Sequence, residues 1–414
     1  MKTLLLHGNT TERAEAQGKT YRKNIEAVLN TKSPLEHLVP CFRALQGQIM
    51  RELEKAPYSW DYHRGMLLGA GQKGKSIYEE LSTTDFEAHA AFRYYGYVAG
   101  TYNKVSLKKK LPNVYERAEA PNACTAFGVI DDTGKVFVGK NNDYYPESKD
   151  MWLIRKSSRV GIHDTLDVSM EFSAGTSGGI NLPGLTVLWN QLSSYNPLGR
   201  DRKCYDEKGE TDDLVWDSAV MPNQVAQILL LECDSVDDAM KKVQDKEMKT
   251  IASYIMLVAD KKRIVVIEAT KTPRGDLKFE FREPESTQAG HKIIGMTNHP
   301  HSSYALDQAG GTGSSSRIRY KTMHKLLQNE IASGYGEEDY FNLLKNHEHG
   351  GLIFGCGKES ICNKGYEVSS LNSIVVNVTE KKLFVSDGQP CKGSLEEISK
   401  MPISQMSVED FWSW

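Results

Sequence analysis

Nowhere does the chain approach the roughly 18 consecutive apolar residues of a membrane-spanning helix. Its first residues, MKTLLLHGNTTERAEAQG, carry one lysine and only three consecutive leucines, too short a run for the core of a secretory signal. Without such a signal the glycosylation sequons at Asn9 and Asn377 carry little weight. An excess of one charge is also lacking. The 51 Lys and Arg against 54 Asp and Glu leave a formal charge of -3, which gives no reason to expect nucleic acid or an anionic membrane as partner. The seven cysteines, at 41, 124, 204, 233, 356, 362 and 391, are odd in number and lack short metal-type pairs. Cys356 and Cys362 have no second pair beside them, so neither a zinc site nor a cofactor is expected. Reduced thiols in a cytoplasmic enzyme fit this pattern. No period of about 20–50 residues repeats.

What is present has the balance of a folded protein: 414 residues, 39% hydrophobic and 25% charged. That length suits one large domain or two smaller ones. Residues 11 to about 103 read as helical, with apolar residues three and four apart and Ser33-Pro34 as a cap and first-turn pair. The aromatic-rich stretch DFEAHAAFRYYGYVAGTYN reads as core. Residues 104–123, KVSLKKKLPNVYERAEAPNA, are polar, basic and broken by Pro112 and Pro121, as in a linker. Its KKK run reads as a solvated loop.

After Cys124 the texture changes. CTAFGVI and KVFVGK alternate about DDTG, a hairpin signal, and SYIMLVA-DKK-RIVVIEA and SIVVNVT-EKK-LFVSDG follow the same plan. A further strand pair is expected at SMEFSAG and LTVLWNQL. Helices are expected at PNQVAQILLLEC, at SVDDAMKKVQ with Ser235 and Asp238 in capping positions, and at SRIRYKTMHKLLQNE. Strand pairs alternating with helix pairs argue for an α+β layered sandwich.

Cys124 opens the first of these strands, and an internal cysteine there is ordinarily a small buried hydrophobe. Its position just after a linker allows another role. If the chain were cut before it, one residue would carry both a thiol and a free α-amine, titrating near ~8.5 and ~7.7–8.0. The amine could then serve as general base for its own side chain. Asp143, at the end of KNND, returns to the level of Cys124 across the hairpin, where it either orients that amine or caps a turn. Asn190 and Asn298 each end a strand-like run. Their amides are apt oxyanion donors, though Asn is also an ordinary strand-to-loop residue. Arg317, after GGTGSSS, can pair with a carboxylate such as Asp143. The Gly/Ser loop lacks the GxxxxGK[ST] frame of a phosphate cradle.

The order of Cys124-Thr125, Lys140-Asn-Asn-Asp143, GIN…GLTVLWN with Asn190, MTNHP with Asn298, and SSSR with Arg317 resembles the choloylglycine hydrolase and penicillin acylase superfamily of N-terminal nucleophile amidases. The leader HGNTTERAEAQGKTYRKNI and the tail from ICNKGYEVSS to SDGQPC are more similar to one branch, the acyl-coenzyme A:6-aminopenicillanic acid acyltransferase family with its linear amide hydrolases. The resemblance runs over nearly the whole chain. It implies a four-layer αββα sandwich at 124–414, and a leader at 1–123 that becomes a small subunit after self-cleavage between Ala123 and Cys124. It further implies Cys124 as nucleophile and its amine as base. Asp143 would orient that amine, Asn190 and Asn298 would form or support an oxyanion hole, and Arg317 would pair within the site. Tyr144 and Trp189 (with Tyr145) are candidates for an acyl pocket or for plain core. Two departures stand out: Lys140 where bile-salt hydrolases have Arg, and Ala123 where the acyltransferase branch commonly has Gly.

The expected partners are a small-molecule amide or acyl substrate and the chain's own leader. No heptad is long enough to argue for pairing into a homo-oligomer, which stays open. Three rivals to amide hydrolysis are acyl transfer to an amine, a non-catalytic binding protein, and a papain-type Cys-His protease drawing on His163, His291, His299, His301 or His324.

Overall fold

The computed structural model describes residues 1–23, 124–192, 222–301, 314–347, 361–363 and 369–398, apart from positions 145, 159–160, 172, 174, 246–247, 249, 251–252 and 272–276. The helical reading beyond residue 23, the linker at 104–123, and Ala123 and Tyr145 lie outside the described residues.

The described strands, numbered along the chain, form two sheets. One runs β1 (Lys2–His7), β4 (Trp152–Ser158), β5 (Thr165–Met170), β6 (Gly178–Asn181), β7 (Thr186–Gln191), β8 (Tyr254–Ala259), β9 (Ile264–Lys271), β10 (Leu277–Arg282). The other runs β11 (Glu285–Ser286), β12 (Lys292–Met296), β2 (Thr125–Ile130), β3 (Val136–Tyr144), β13 (Ser369–Asn377), β14 (Lys382–Asp387), β15 (Glu396–Glu397). The three expected hairpins are the antiparallel pairs β2–β3, β8–β9 and β13–β14. Local chemistry fixes the first turn. The Asp131 carboxylate accepts from Thr133 N, Thr133 Oγ1 and Lys135 N, and Gly134 takes the φ of 85° that the turn requires. Asp260 holds the second turn in the same way, and its other oxygen accepts from Val236 N at the start of α3 (Val236–Lys242). Ser235 caps that helix through the amide of Asp238.

The packing follows strand alternation. Val136 and Val138 of β3 join Ala126, Ile154, Leu188 and Ile255 in a cluster drawn from both sheets. Phe137, on the opposite face, joins Phe127 and residues of α4 (Ser314–Asn329) and α5 (Glu337–Leu344). Val187, Met256 and Val265 of the first sheet pack instead against α2 (Pro222–Glu232) and α3. Strands covered on both faces show continuous rather than alternating burial, as all six residues of β8 do. Gly139 stands across from Phe127, and a Cβ there would lie 2.5 Å from the ring.

Two sequence expectations are corrected. SMEFSAG does not supply a strand partner for LTVLWNQL: β5 ends at Met170, and the short strand β6 lies between it and β7. Two glycines hid that strand, because close approach to Leu166 and Leu188 leaves no room for side chains at Gly179 and Gly178. Nor is the start of the chain purely helical. β1 pairs in parallel with β4 through all six residues, burying Leu4 and Leu6, before α1 (Thr10–Thr20) begins at the Asn9 cap. Gln17 of that helix donates to the Glu171 and Ser173 carbonyls. Residues 2–7 thus form a strand of the first sheet, and α1 docks beside it.

Candidate active site

The β2–β3 register pairs Thr125 with Asn141, so Cys124, one residue before the ladder, stands level with the end of β3. Its side chain is half-buried and the thiol donates to the Asp143 carbonyl at 3.9 Å. On the far side of β3 a register shift between Ser370 and Asn372 of β13 sets Ser370 opposite Asp143. The Ser370 hydroxyl donates to Asp143 Oδ1 at 2.5 Å, while Oδ2 is buried with no hydrogen-bond partner among the described residues.

Burial pushes the Asp143 carboxyl up to about 7, against the opposing pull of Arg319, Ser370 and Lys140. Burial also raises the Cys124 thiol, an effect that the Lys140 cation partly offsets. The cluster thus holds a carboxyl poised near neutrality beside a thiol, inside a cationic surround.

Asn190 and Asn298 both reach this cluster. The Asn190 amide donates to the Cys124 carbonyl at 3.4 Å and to the Thr297 carbonyl at 3.2 Å. The Asn298 amide donates to the Gln191 carbonyl at 2.8 Å, and its Oδ1 accepts from Arg319. Among the described residues the guanidinium that reaches this cluster is Arg319, where Arg317 was expected. Arg319 is fully buried and donates to the Cys124 carbonyl (2.6 Å), to Thr125 Oγ1 (2.8 Å) and to Asn298 Oδ1 (3.0 Å). Arg317 lies on the exposed side of α4. Two residues turn a helix by about 200°, so the two arginines face opposite ways. The sequence held the signal: Arg319 falls in register with Met323, Leu326 and Leu327, all buried, whereas Arg317 aligns with Lys321 and His324.

Lys140 is buried between the sheets. Its ammonium donates to the Ser177 carbonyl and hydroxyl, each at 3.0 Å, and to the Trp189 carbonyl. It ties one sheet to the other while its charge still acts on Cys124 and Asp143. Trp189, expected at a substrate pocket, lies on the strand face opposite Asn190, against the helix-side cluster, with its indole N–H donating to Thr176. Tyr144 is half-buried against the inter-sheet cluster, edge-on to Trp152 at 6.3 Å. Nothing in GYEVSSLNS marks Ser370 among its three serines. The described cluster offers one thiol and one carboxyl beside two cations, a set that repels rather than collects a metal ion.

The arrangement can present a thiol at a strand head, hold the carbonyl of that residue in a fixed place, and offer a buried carboxyl oxygen to a nearby donor. The fold is α+β with two sheets. Residues 221–363 match the acyl-coenzyme A:6-aminopenicillanic acid acyl-transferase family, which bears out the resemblance carried by the motifs. The matched segment contains Asn298 and Arg319, while Cys124, Asp143 and Asn190 lie before it. No individually curated protein sequence matches the chain. Among solved structures it is similar to penicillin V acylase from Agrobacterium tumefaciens, at 16% identity over 69% of this chain and 89% of that one, with a TM-score of 0.41. A mutant conjugated bile acid hydrolase from Clostridium perfringens aligns at 11% identity over 69% and 95%, TM-score 0.42. A Caenorhabditis elegans N-acylethanolamine-hydrolyzing acid amidase ortholog aligns at 12% over 62% and 93%, TM-score 0.39.

Proposed function

We propose that the chain is a self-processing cysteine amidase that hydrolyses a linear, non-peptide amide of a small N-acyl compound. The two sheets and their flanking helices would form a four-layer αββα sandwich, with the helix-side clusters as its outer interfaces. The carrying observation is the environment of Cys124: a half-buried residue whose carbonyl is gripped by Arg319 and Asn190, beside a buried carboxyl with one oxygen that has no partner among the described residues. In processing, the Cys124 thiol adds to the Ala123 carbonyl, the Ala123–Cys124 C–N bond breaks as the nitrogen takes a proton, and water opens the resulting thioester. The α-amine so freed has Asp143 Oδ2 as its hydrogen-bond acceptor. In turnover that amine accepts the thiol proton, the thiolate attacks the substrate amide carbonyl, and the leaving amine departs protonated. Water then releases the acid from the acyl-enzyme. Arg319 acts by fixing the Cys124 carbonyl, and Asn298 by holding Arg319 and the Gln191 carbonyl next to Asn190.

The histidines of the rival Cys-His reading are engaged elsewhere. His163 pairs with Asp234 and His324 with Glu285, while the His291 ring accepts from Asp132 N at the far end of the β2–β3 hairpin. The His299 ring bonds Thr297 and Ser316, and burial takes it down to about 4. His301 packs on Tyr320 at 4.1 Å.

The match to an acyl-transferase family favours a second reading, in which an amine replaces water at the thioester. Product analysis on N-acyl amides, with and without a competing amine, separates the two. Acid release without acceptor supports hydrolysis, and turnover only with acceptor supports transfer. Undiminished turnover by Cys124→Ala would sink both.

A further inference from the structure

Three side chains that the proposed reaction does not use converge beside the Ser370 support of Asp143. His347 follows α5, Cys362 lies in the segment before β13, and Cys391 follows β14. Their ligand atoms all lie within 4.8 Å of one another, with Cys362 buried and the other two half-buried. The geometry points to a zinc site formed by His347, Cys362 and Cys391, with a fourth position open on the half-buried side.

Tetrahedral zinc with bonds of ~2.0–2.3 Å sets its donors about 3.3–3.8 Å apart, so the three atoms need move inward only slightly. Thiolate and imidazole donors select zinc over magnesium or calcium, which require oxygen. Charge agrees as well: two thiolates neutralise a divalent cation, so the filled site can sit in a buried environment without a net charge. The backbone already holds each segment. Cys362 N donates to Asn346 O at 3.0 Å, one residue before His347. The Cys391 turn is pinned by Gly388 N to Leu371 O at 2.8 Å and by Lys392 N to Gln389 O at 2.9 Å.

The site adjoins the support of Asp143. Asn363, next to Cys362, receives the Ser370 amide on its carbonyl at 2.8 Å and donates its own amide to Ser370 Oγ at 2.9 Å. That hydroxyl in turn donates to Asp143. Bound zinc clamps three chain segments around the serine that orients the carboxyl.

The test uses full-length protein stripped by chelator under reductant, then titrated with Zn²⁺ and separately with Co²⁺. None of the readouts depends on turnover, so the outcome is separate from that of the proposed amidase. One zinc per chain should survive gel filtration, and Co²⁺ should give a thiolate charge-transfer band. Mass mapping should show zinc protecting Cys362 and Cys391, but not Cys124, from alkylation. Cys391→Ser should weaken zinc binding by more than the ~10–100-fold cost of losing an outer-shell partner, while Cys124→Ala should keep the metal. The alkylation arm uses the unmodified protein, so it decides the matter even if a variant fails to fold. Absence of stoichiometric zinc, full zinc retention in both Cys391→Ser and His347→Ala, or a Cys362–Cys391 disulfide whose reduction yields no zinc uptake would each overturn the site.

Discussion

Arg319→Ala removes a fully buried guanidinium that donates to the Cys124 carbonyl, Thr125 Oγ1 and Asn298 Oδ1. Each hydrogen bond to a charged group contributes about 1.5–3 kcal/mol, and the contributions do not add because the partners are neighbours. Truncating one member of a buried charged network typically costs about 3–5 kcal/mol, much of it from polar atoms left unpaired. Against a total stability of roughly 5–15 kcal/mol, that loss should shift the urea midpoint strongly. Arg317→Ala, two residues away on the exposed side, should change stability by no more than about 0.5 kcal/mol. Arg319→Lys keeps the charge but not the fork, and should fall between the two. The assay is equilibrium unfolding followed by tryptophan fluorescence, in a Cys124→Ala background so that chain cleavage cannot differ among the variants. Equal losses from Arg317→Ala and Arg319→Ala, or a negligible loss from Arg319→Ala, would refute the assignment of Arg319 as the arginine of the site.

Asp143→Asn should become progressively more stable than the parent as pH rises. The folded carboxyl is raised from the ordinary ~3.9 to about 7, so its favourable contribution is complete below pH ~4 and lost through about pH 7. By linkage the difference is at most about 4 kcal/mol, and thermal melts in the same uncut background that differ equally at pH 4 and pH 8 would exclude it. Ser370→Ala strips Asp143 Oδ1 of its hydroxyl donor and should cost about 1–3 kcal/mol of stability; an unchanged urea midpoint would argue against that support. Gly139→Ala forces a methyl to within 2.5 Å of the Phe127 ring, an overpacking cost of about 1–3 kcal/mol, and a melting temperature equal to the parent's would contradict it. If processing occurs, the pairing of β1 with β4 should keep the small fragment attached through gel filtration; separate elution would refute that.

The hairpins were legible because each carries its own turn chemistry, as Asp131 and Asp260 do. β1 and β6 were not, since a six-residue strand and a four-residue strand with two glycines acquire their identity only from the partner across the ladder. Cys124, Asp143, Asn190 and Asn298 could be nominated because each ends or opens a strand, and the structure brings all four together. Nearness to a loop points to Arg317, whereas helical register points to Arg319. Cysteine spacing argued against zinc, yet 347, 362 and 391 meet only once α5, the segment before β13 and the turn after β14 are assembled. A spacing rule sees ligands within one segment and is blind to three.

Intact-mass spectrometry of the purified protein beside Cys124→Ala decides whether the chain cuts itself before the cysteine. Two fragments meeting between Ala123 and Cys124 are expected in the parent, and one full-length chain in the variant. An active parent with an unbroken bond at that position would contradict self-processing.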